Sequence, residues 1–414
     1  MSDFPAAKRR SRGKHVKRRW HAQMDALGGR GFQYHAYVPT PIADEEFSLS
    51  SQIATAATNA EHATRALNEG PPGQLNFEAL AHQLLRAESV ASSRIEGLVL
   101  SHRRLAKAEF SDEGRDITAQ GVLANIRALQ QAVDLATTKD ELNREHVIEV
   151  HRTLLLGTRD EHLGGVVRES QNWIGGDATS PQNADFVPPP PELVLELLDD
   201  LSVFLNREDV PAVIQAAIAH VQFETIHPFH DGNGRVGRAI ILSVLRRRGL
   251  APKYLPPVSL ALAGDADRYM AGLGSFRYGD AEGWYRVFVD AVYNAATGAR
   301  AFAQQVADLQ QGWVGAAGTP RAGSGARRLI ELLPAQPILN VKIASGLLGG
   351  SEEQARLAVN RLEQADVLRK TTAGKRNRAW ESVGLFDLLD QFERDLGSSN
   401  ARRVQPIEQR ASSA

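Results

Sequence analysis

Twelve consecutive residues, His227-Pro-Phe-His-Asp-Gly-Asn-Gly-Arg-Val-Gly-Arg238, hold the densest chemistry in the chain. His227 can exchange a proton near neutral pH. Asp231 offers the hard carboxylate oxygen that a divalent ion such as Mg2+ takes when it also bridges phosphates. Gly232, Asn233 and Gly234 leave the backbone open to close approach by an anion. Arg235 and Arg238 are three apart, so on a helix they share a face, and their planar guanidiniums suit phosphate oxygens. Base, metal carboxylate and phosphate cradle together imply phosphoryl or nucleotidyl transfer.

Three other readings weigh less. Gly232-x-Gly234-x-x-Gly237 spells a dinucleotide fingerprint. That motif follows a strand and needs an acidic residue about 20 positions on. Here a helical run precedes it, and no carboxylate lies near Val258. His230-Asp231 could open the ligand set of a metal-dependent phosphohydrolase, but no further spaced His/Asp cluster stands out. A plain glycine turn has no need of two arginines, an aspartate, an asparagine and two histidines.

The positioning elements are legible on both sides. Val213, Ile214, Ala217, Ile218 and Val221 recur at helical spacing and predict an amphipathic helix, which Pro228 ends near Ile226. Ala239, Ile240, Ile241, Leu242, Val244 and Leu245 predict a second helix, closed by basic Arg246-Arg247-Arg248 and a Gly249 cap. Gly232-Asn-Gly234 therefore falls where the second helix starts, at its unpaired N–H groups and positive dipole end.

This stretch resembles the Fic family signature, His-x-Phe-x-Asp/Glu-Gly-Asn-Gly-Arg-x-x-Arg, at every position. The resemblance implies a mainly α fold, a Fic-type helical bundle that transfers AMP from ATP to a Ser, Thr or Tyr hydroxyl of a protein target or of itself. Removal of AMP by the same site is the alternative. It implies that His227 deprotonates the hydroxyl, that Phe229 anchors the loop in the core, and that Asp231 holds magnesium on the phosphates. Gly232, Asn233 and Gly234 would cradle ATP, with Val236 and Gly237 in the same binding stretch, and Arg235 and Arg238 would contact the outer phosphates.

Residues 77–97 predict another helix, with Leu80, Leu84, Leu85 and Ile95 on a partial apolar face and Gly97 as its cap. Glu96 then stands at the negative end of a helix dipole, a place that suggests a cationic partner; a merely exposed Glu is the plainer reading. Ser92, Glu96 and Gly97 resemble the Fic inhibitory motif, Ser/Thr-x-x-x-Glu-Gly/Asn. That likeness implies that Glu96 pairs with Arg238 and blocks the γ-phosphate position.

Gly164–Arg168 and Gln171–Gly176 are short β-forming runs flanked by glycines and predict a small hairpin. Fic proteins carry a target-gripping flap here, which implies a target-binding role for Asn172, Trp173 and Ile174 by strand addition. A structural excursion packed by Trp173 is the other reading. Tyr269 is the candidate to lie near the adenine, or else a core tyrosine.

Composition bounds the rest. The chain has 414 residues, enough for two or three cored domains, a net charge of -1 and no cysteine, so disulfides and thiolate metal sites are excluded. No apolar run or leader-like segment points to a membrane, and the expected setting is cytoplasmic. Residues 1–35, with Lys8, Arg9, Arg10, Lys14, Lys17, Arg18 and Arg19, read as a basic disordered arm, or a nucleic-acid arm. The expected order continues with an N-terminal helical region over 36–115, the catalytic core over 116–311, a Gly/Ala-rich linker over 312–325, a further module over 326–396 and a flexible tail over 397–414. In that module a short helix Val341–Leu348, a capping box Ser351–Gln354, an inner face of Ala355, Ala358, Val359 and Leu362, and a basic-tipped hairpin resemble a winged helix. DNA binding through Arg356, Arg361, Lys375, Arg376 and Arg378 is one expectation. A protein-interaction or homodimer module is the other, and Glu352 and Glu353 weigh against phosphate at the helix start.

Overall fold

The structure, a computed structural model, describes residues 11–20, 31–69, 77–111, 116–177, 179–372 and 378–402. It opens with strands β1 (Gly13–Trp20) and β2 (Phe32–Pro39), then α1 (Ser51–Asn68), α2 (Phe77–Ile95), α3 (His102–Ser111), α4 (Ile117–Thr138) and α5 (Arg144–Leu155). Next come α6 (Val194–Leu205), α7 (Ala212–Ile226), α8 (Asn233–Arg247), α9 (Val258–Ala263), α10 (Ala266–Arg277) and α11 (Ala281–Ala316). The last part holds α12 (Gly325–Leu332), β3 (Ile338–Leu339), α13 (Val341–Leu348), α14 (Glu352–Gln364), β4 (Leu368–Thr372), β5 (Arg378–Ser382) and α15 (Leu385–Arg402). The fold is mainly α, as the sequence implied. It forms two compact units, each assembled from separated stretches of chain.

The first unit takes residues 1–58, 127–248 and 267–290. Its centre is α7, buried at every position from Ala212 to Ile226. The sequence predicted an amphipathic helix here. Because α6, α8 and β2 all pack on it, no solvent face is left, and only a helix with few charges can occupy such a place. The Nε1–H of Trp284 on α11 donates to the Ala217 carbonyl across 2.9 Å.

The expected disordered arm is corrected within this unit. β1 pairs antiparallel with β2, Gly13 opposite Pro39 and Trp20 opposite Phe32. Aromatic side chains account for the order: Trp20 meets Trp173 edge to face at 5.3 Å, and the Tyr37 hydroxyl donates to the Arg277 carbonyl at 2.8 Å. The basic count hid these contacts. Lys8, Arg9 and Arg10 lie outside the described residues.

The second unit takes residues 59–126, 249–266 and 291–414. Phe302 of α11 stacks on Phe392 of α15 at 4.7 Å, within one apolar core. Polar joints tie its elements. Asn68 donates to the Tyr254 carbonyl and accepts from the Lys253 and Tyr254 N–H groups. Buried Glu88 accepts from the Ser259 N–H and hydroxyl. Glu393 of α15 pairs with Arg94 of α2 and with His102 of α3, each at 2.8 Å. Burial alone would raise the Glu393 pKa, yet His102 and Arg94 hold it below the ordinary value.

Two expected segment boundaries move in this unit. The linker expected over 312–325 is helical up to Ala316, because its alanines are strong helix formers and Trp313 and Val314 bury into the core. The tail expected from 397 continues as helix to Arg402, and residues 403–414 lie outside the described part. Elements β3 to β5 form one antiparallel sheet in the order β3-β5-β4, behind α12, α13 and α14.

Candidate active site

The twelve-residue stretch is a tight loop, 227–232, between α7 and α8, followed by the first six residues of α8, all inside the first unit. α7 ends at Ile226, as Pro228 predicts. His227 follows in the left-handed region, φ 49° and ψ 60°, with its N–H donating to the Phe223 carbonyl at 2.9 Å. A non-glycine residue there costs roughly 1–2 kcal/mol, so surrounding contacts must hold it. Gly232 is also left-handed at φ 80°, and a Cβ on it would lie 2.9 Å from the Leu154 side chain. Asn233 opens α8 and closes the loop on itself: its Oδ1 accepts from the Phe229 N–H at 2.9 Å and its Nδ2 donates to the Phe229 carbonyl at 2.7 Å.

Three distant side chains complete the clamp. Arg168, 2% exposed, donates from Nε to the His227 carbonyl at 2.9 Å and from Nη2 to the Pro189 and Ile226 carbonyls at 2.6 and 3.3 Å. It thereby caps the negative end of α7. Burial lowers its pKa to about 10, still fully charged at neutral pH. Asn172 donates to the Phe229 and His227 carbonyls at 2.9 and 3.3 Å. His151 stacks flat on Phe229, centroids 3.7 Å apart and planes 6° from parallel. The Gly165 N–H donates to His151 Nδ1, so Nε2 carries the hydrogen and donates to the Asp231 carbonyl at 3.0 Å. Burial, foremost, lowers the His151 pKa to about 4, which keeps this tautomer neutral. Sequence reasoning did not single out Arg168 or His151 as site residues.

The reactive groups sit on this frame. His227 is mostly buried, and its pKa falls to about 3, through burial first and then the charges of Arg168 and Arg277. Its Nδ1 has no hydrogen-bond partner among the described residues and lies 3.9 Å from Glu224 Oε2. The imidazole is therefore neutral at pH 7 with a buried carboxylate near its second nitrogen. Asp231 is half exposed and pairs with Arg235 at 2.8 Å, four residues on. Arg235 is itself 6% exposed, and its Nε is a buried donor with no partner among the described residues. Phe229 is fully buried, in the place expected of an anchor.

The remaining predicted residues divide. Val236 turns into the unit beside Leu135, Val147 and Ala239. Gly237 faces α7, where a Cβ would come within 2.6 Å of Glu224 and 3.0 Å of His220, so its absence of a side chain serves helix packing. Arg238 is 1% exposed and helps lower the pKa of His220 to about 3, after burial. Tyr269 is 2% exposed, and its hydroxyl bonds His220 Nε2 at 2.8 Å, the core position rather than an open one. Ser92, Glu96 and Gly97 belong to the second unit: Ser92 is buried near the end of α2, Glu96 is exposed just past it, and Gly97 takes φ 83° as a helix cap requires.

The expected hairpin between 164–168 and 171–176 does not form. Ile174 instead bridges antiparallel to Phe186, the Ile174 N–H donating to the Phe186 carbonyl at 2.9 Å. The turn glycines, Gly175 and Gly176, lie at the end of the second run rather than between the two. Trp173 bonds the Asp177 carbonyl through Nε1 and packs on Trp20, while Asn172 serves the loop. Among the described residues no group of three or more His, Cys, Asp or Glu is placed to hold a metal, so the phosphohydrolase reading lacks its ligand set.

Comparison with known proteins bears on the same residues. Residues 141–245 match the model of the Fic/DOC family, and residues 54–134 that of the Fic/DOC family N-terminal region. Protein adenylyltransferase fic-1 of Caenorhabditis elegans is 33% identical over 160 residues, 38% of this chain and 29% of that protein. Protein adenylyltransferase Fic of Culex quinquefasciatus is 26% identical over 270 residues, 59% of this chain and 52% of that protein. The matches thus span about half or less of these relatives. Among solved structures, a Fic family protein from Desulfovibrio desulfuricans aligns at TM-score 0.46 and 20% identity, over 82% of this chain and 98% of that one. Fic-1 from C. elegans aligns at TM-score 0.47 and 23% identity, over 59% of this chain and 70% of that one.

Proposed function

We propose that this chain transfers AMP from ATP to a hydroxyl of a protein, its own chain included; the matches of residues 141–245 and 54–134 to the Fic/DOC family and its N-terminal region support the reading. The observation that carries the reading is the locked loop. A neutral histidine is held at the exit of α7, and the N-terminus of α8 opens six residues later.

In this reading the target hydroxyl gives its proton to His227 as its oxygen attacks the α-phosphorus of ATP. The bond to the bridging oxygen breaks, and pyrophosphate leaves. The N–H groups at the start of α8 and the Arg235 guanidinium, whose Nε is a spare donor, take phosphate oxygens. The half-exposed Asp231 carboxylate, paired with Arg235 at 2.8 Å, would hold a Mg2+ ion, which would offset phosphate charge. Arg238 meets the outer phosphates, and Glu96 restrains activity by competing for that guanidinium. Removal of AMP by the same groups would be a hydrolysis rather than the reverse of the transfer: a water oriented by Glu96 attacks the phosphorus, the bond to the target oxygen breaks, and AMP and the free hydroxyl leave. Asn172, Trp173 and Ile174 present the target segment. A cytoplasmic setting and a homodimer go with the reading; no helix among the described residues is long and apolar enough to cross a membrane.

The test is transfer of label from α-phosphate-labelled ATP to protein with Mg2+, for wild type, Glu96→Gly, and Glu96→Gly combined with His227→Ala. Label that rises in the first variant and vanishes in the second supports both roles. No label in any of the three, with lysate as target source, removes the transferase reading. Unchanged label and ATP affinity in Glu96→Gly removes the inhibitory one.

A further inference from the structure

The second unit holds a charged cleft of its own. Asn340 caps α13, its Oδ1 accepting from the Ile343 N–H at 2.8 Å. α13 ends on Gly349 at φ 60°, and Ser351 opens α14 with a reciprocal bond to Gln354. Two capped helices thus follow each other across three residues, Gly349 to Ser351, with the β3-β5-β4 sheet behind them. Between α14, the start of α13 and the sheet lies an open cleft of about 560 Å³, lined by Lys342, Arg356, Asn360, Glu363, Lys370 and Arg378 among others.

Four cations face one carboxylate there, in a chain whose net charge is -1. The carboxylate is already satisfied: Glu363 accepts from Lys370 Nζ at 2.7 Å and from Trp380 Nε1 at 3.0 Å, and Lys370, foremost, lowers its pKa. Arg356 has a 3.4 Å ion pair with Glu353, both side chains mostly exposed, a contact that a phosphate or a base can displace. On the outward face of α14, Arg356 and Asn360 are exposed one turn apart, beside Leu357, which is 63% exposed. A guanidinium, an amide and an aliphatic group are the side chains that read guanine, adenine and the thymine methyl in a major groove.

We propose that this cleft is a duplex-DNA site. α14 enters the major groove with Arg356, Leu357 and Asn360 toward base edges, and Lys342, Lys370 and Arg378 take backbone phosphates. The acidic first turn, Glu352 and Glu353, keeps phosphate from the start of α14, so the helix docks by its middle. Arg361 is not part of the site: its Nε and Nη2 both donate to the Ala317 carbonyl, at 3.2 and 2.7 Å. Lys375 and Arg376 lie outside the described residues and are not used.

The experiment is fluorescence anisotropy of the full chain with a labelled mixed-sequence DNA duplex over about 50 to 200 mM salt, against duplex RNA of equal length and polyglutamate. Three phosphate contacts predict a log–log salt slope near about -3. Lys342→Gln and Arg378→Gln should each weaken binding for all sequences and flatten the slope by about 1. Arg356→Ala and Asn360→Ala should narrow the spread of affinities within a panel of duplexes, by about 10-fold per lost base contact, with the slope kept. An unchanged melting temperature shows that each variant folds. No DNA binding at about 50 mM salt overturns the proposal. So does binding of RNA or polyglutamate as tight as that of DNA, which marks an acidic-partner surface, and so does a slope indifferent to all four variants. Binding by the His227→Ala protein equal to wild type keeps this result independent of the transferase reading.

Discussion

The loop after α7 and the cleft beside α14 both depend on arginine and hold it in opposite ways. Arg168 is 2% exposed and wrapped by carbonyl oxygens of the loop it supports, whereas the Arg356 side chain is 56% exposed with one loose partner. A buried guanidinium committed to backbone fixes geometry and is little screened by salt; an exposed one keeps its charge for a visitor and is strongly screened. The first arrangement suits a step that needs reacting atoms in one place, the second a reversible polyanion contact.

The largest test of that contrast removes the strained residue itself. His227→Gly should cut AMP transfer by about 100- to 10,000-fold, the usual loss for a general base. It should also raise stability by about 1 kcal/mol, because glycine takes φ 49° without the Cβ clash. A melting temperature that falls together with activity would mean that the imidazole holds the loop rather than acts in it.

Next in size is Arg168→Met, which leaves buried carbonyls of the loop and of Pro189 without their donor. At about 1–3 kcal/mol for each unsatisfied group, denaturant unfolding should show a loss of about 3 kcal/mol or more. Arg168→Lys should recover only part of it, since an ammonium lacks the planar fork. A neutral Arg168→Met would reduce this clamp to decoration.

Acid should act on the buried region first. His151, with a pKa near about 4, and His220 and His227, near about 3, all fall below the ordinary 6.5. Above pH 6.5 neither folded nor unfolded chain binds these protons, so their contribution to stability is complete. As pH falls below 6.5 the unfolded chain takes up three protons that the folded one refuses, and stability drops by up to about 4 kcal/mol per pH unit near pH 5. His220→Gln should remove about a third of that slope in urea titrations at several pH values. For the same reason the pH–rate profile should lack an acid limb near 6.5.

Salt gives the smallest effect on the loop. Between about 50 and 200 mM, where DNA affinity should fall by tens of fold, self-modification should change less than about twofold. Equal sensitivity of the two would erase the contrast.

What the sequence made legible follows from the range of each interaction. The end of α7 at Ile226, the start of α8 at Asn233 and the Ser351–Gln354 box are set by neighbours within a few positions. Arg168 and His151 act on carbonyls 59 and 80 positions away, and nothing local distinguishes them from a surface arginine and a core histidine. The expected flap hairpin failed for a related reason. Ile174 had a partner twelve positions later in Phe186, which the glycine spacing did not reveal. Alanine misled in the other direction: a Gly/Ala run looks like a tether until Trp313 and Val314 give it something to pack against.

The carboxylate of Glu393 bears on how this protein comes apart. It joins α15 to the helix that ends at Ser92–Gly97 and to α3, where His102 is 1% exposed. A truncation after α11 would strip His102 and Phe302 of partners at once, and the His102–Glu393 bond ties α3 and α15 into one cooperative block although the two residues are 291 positions apart. Amide hydrogens in the middle of α2 and of α15 should therefore exchange at one shared slow rate, as a single opening event.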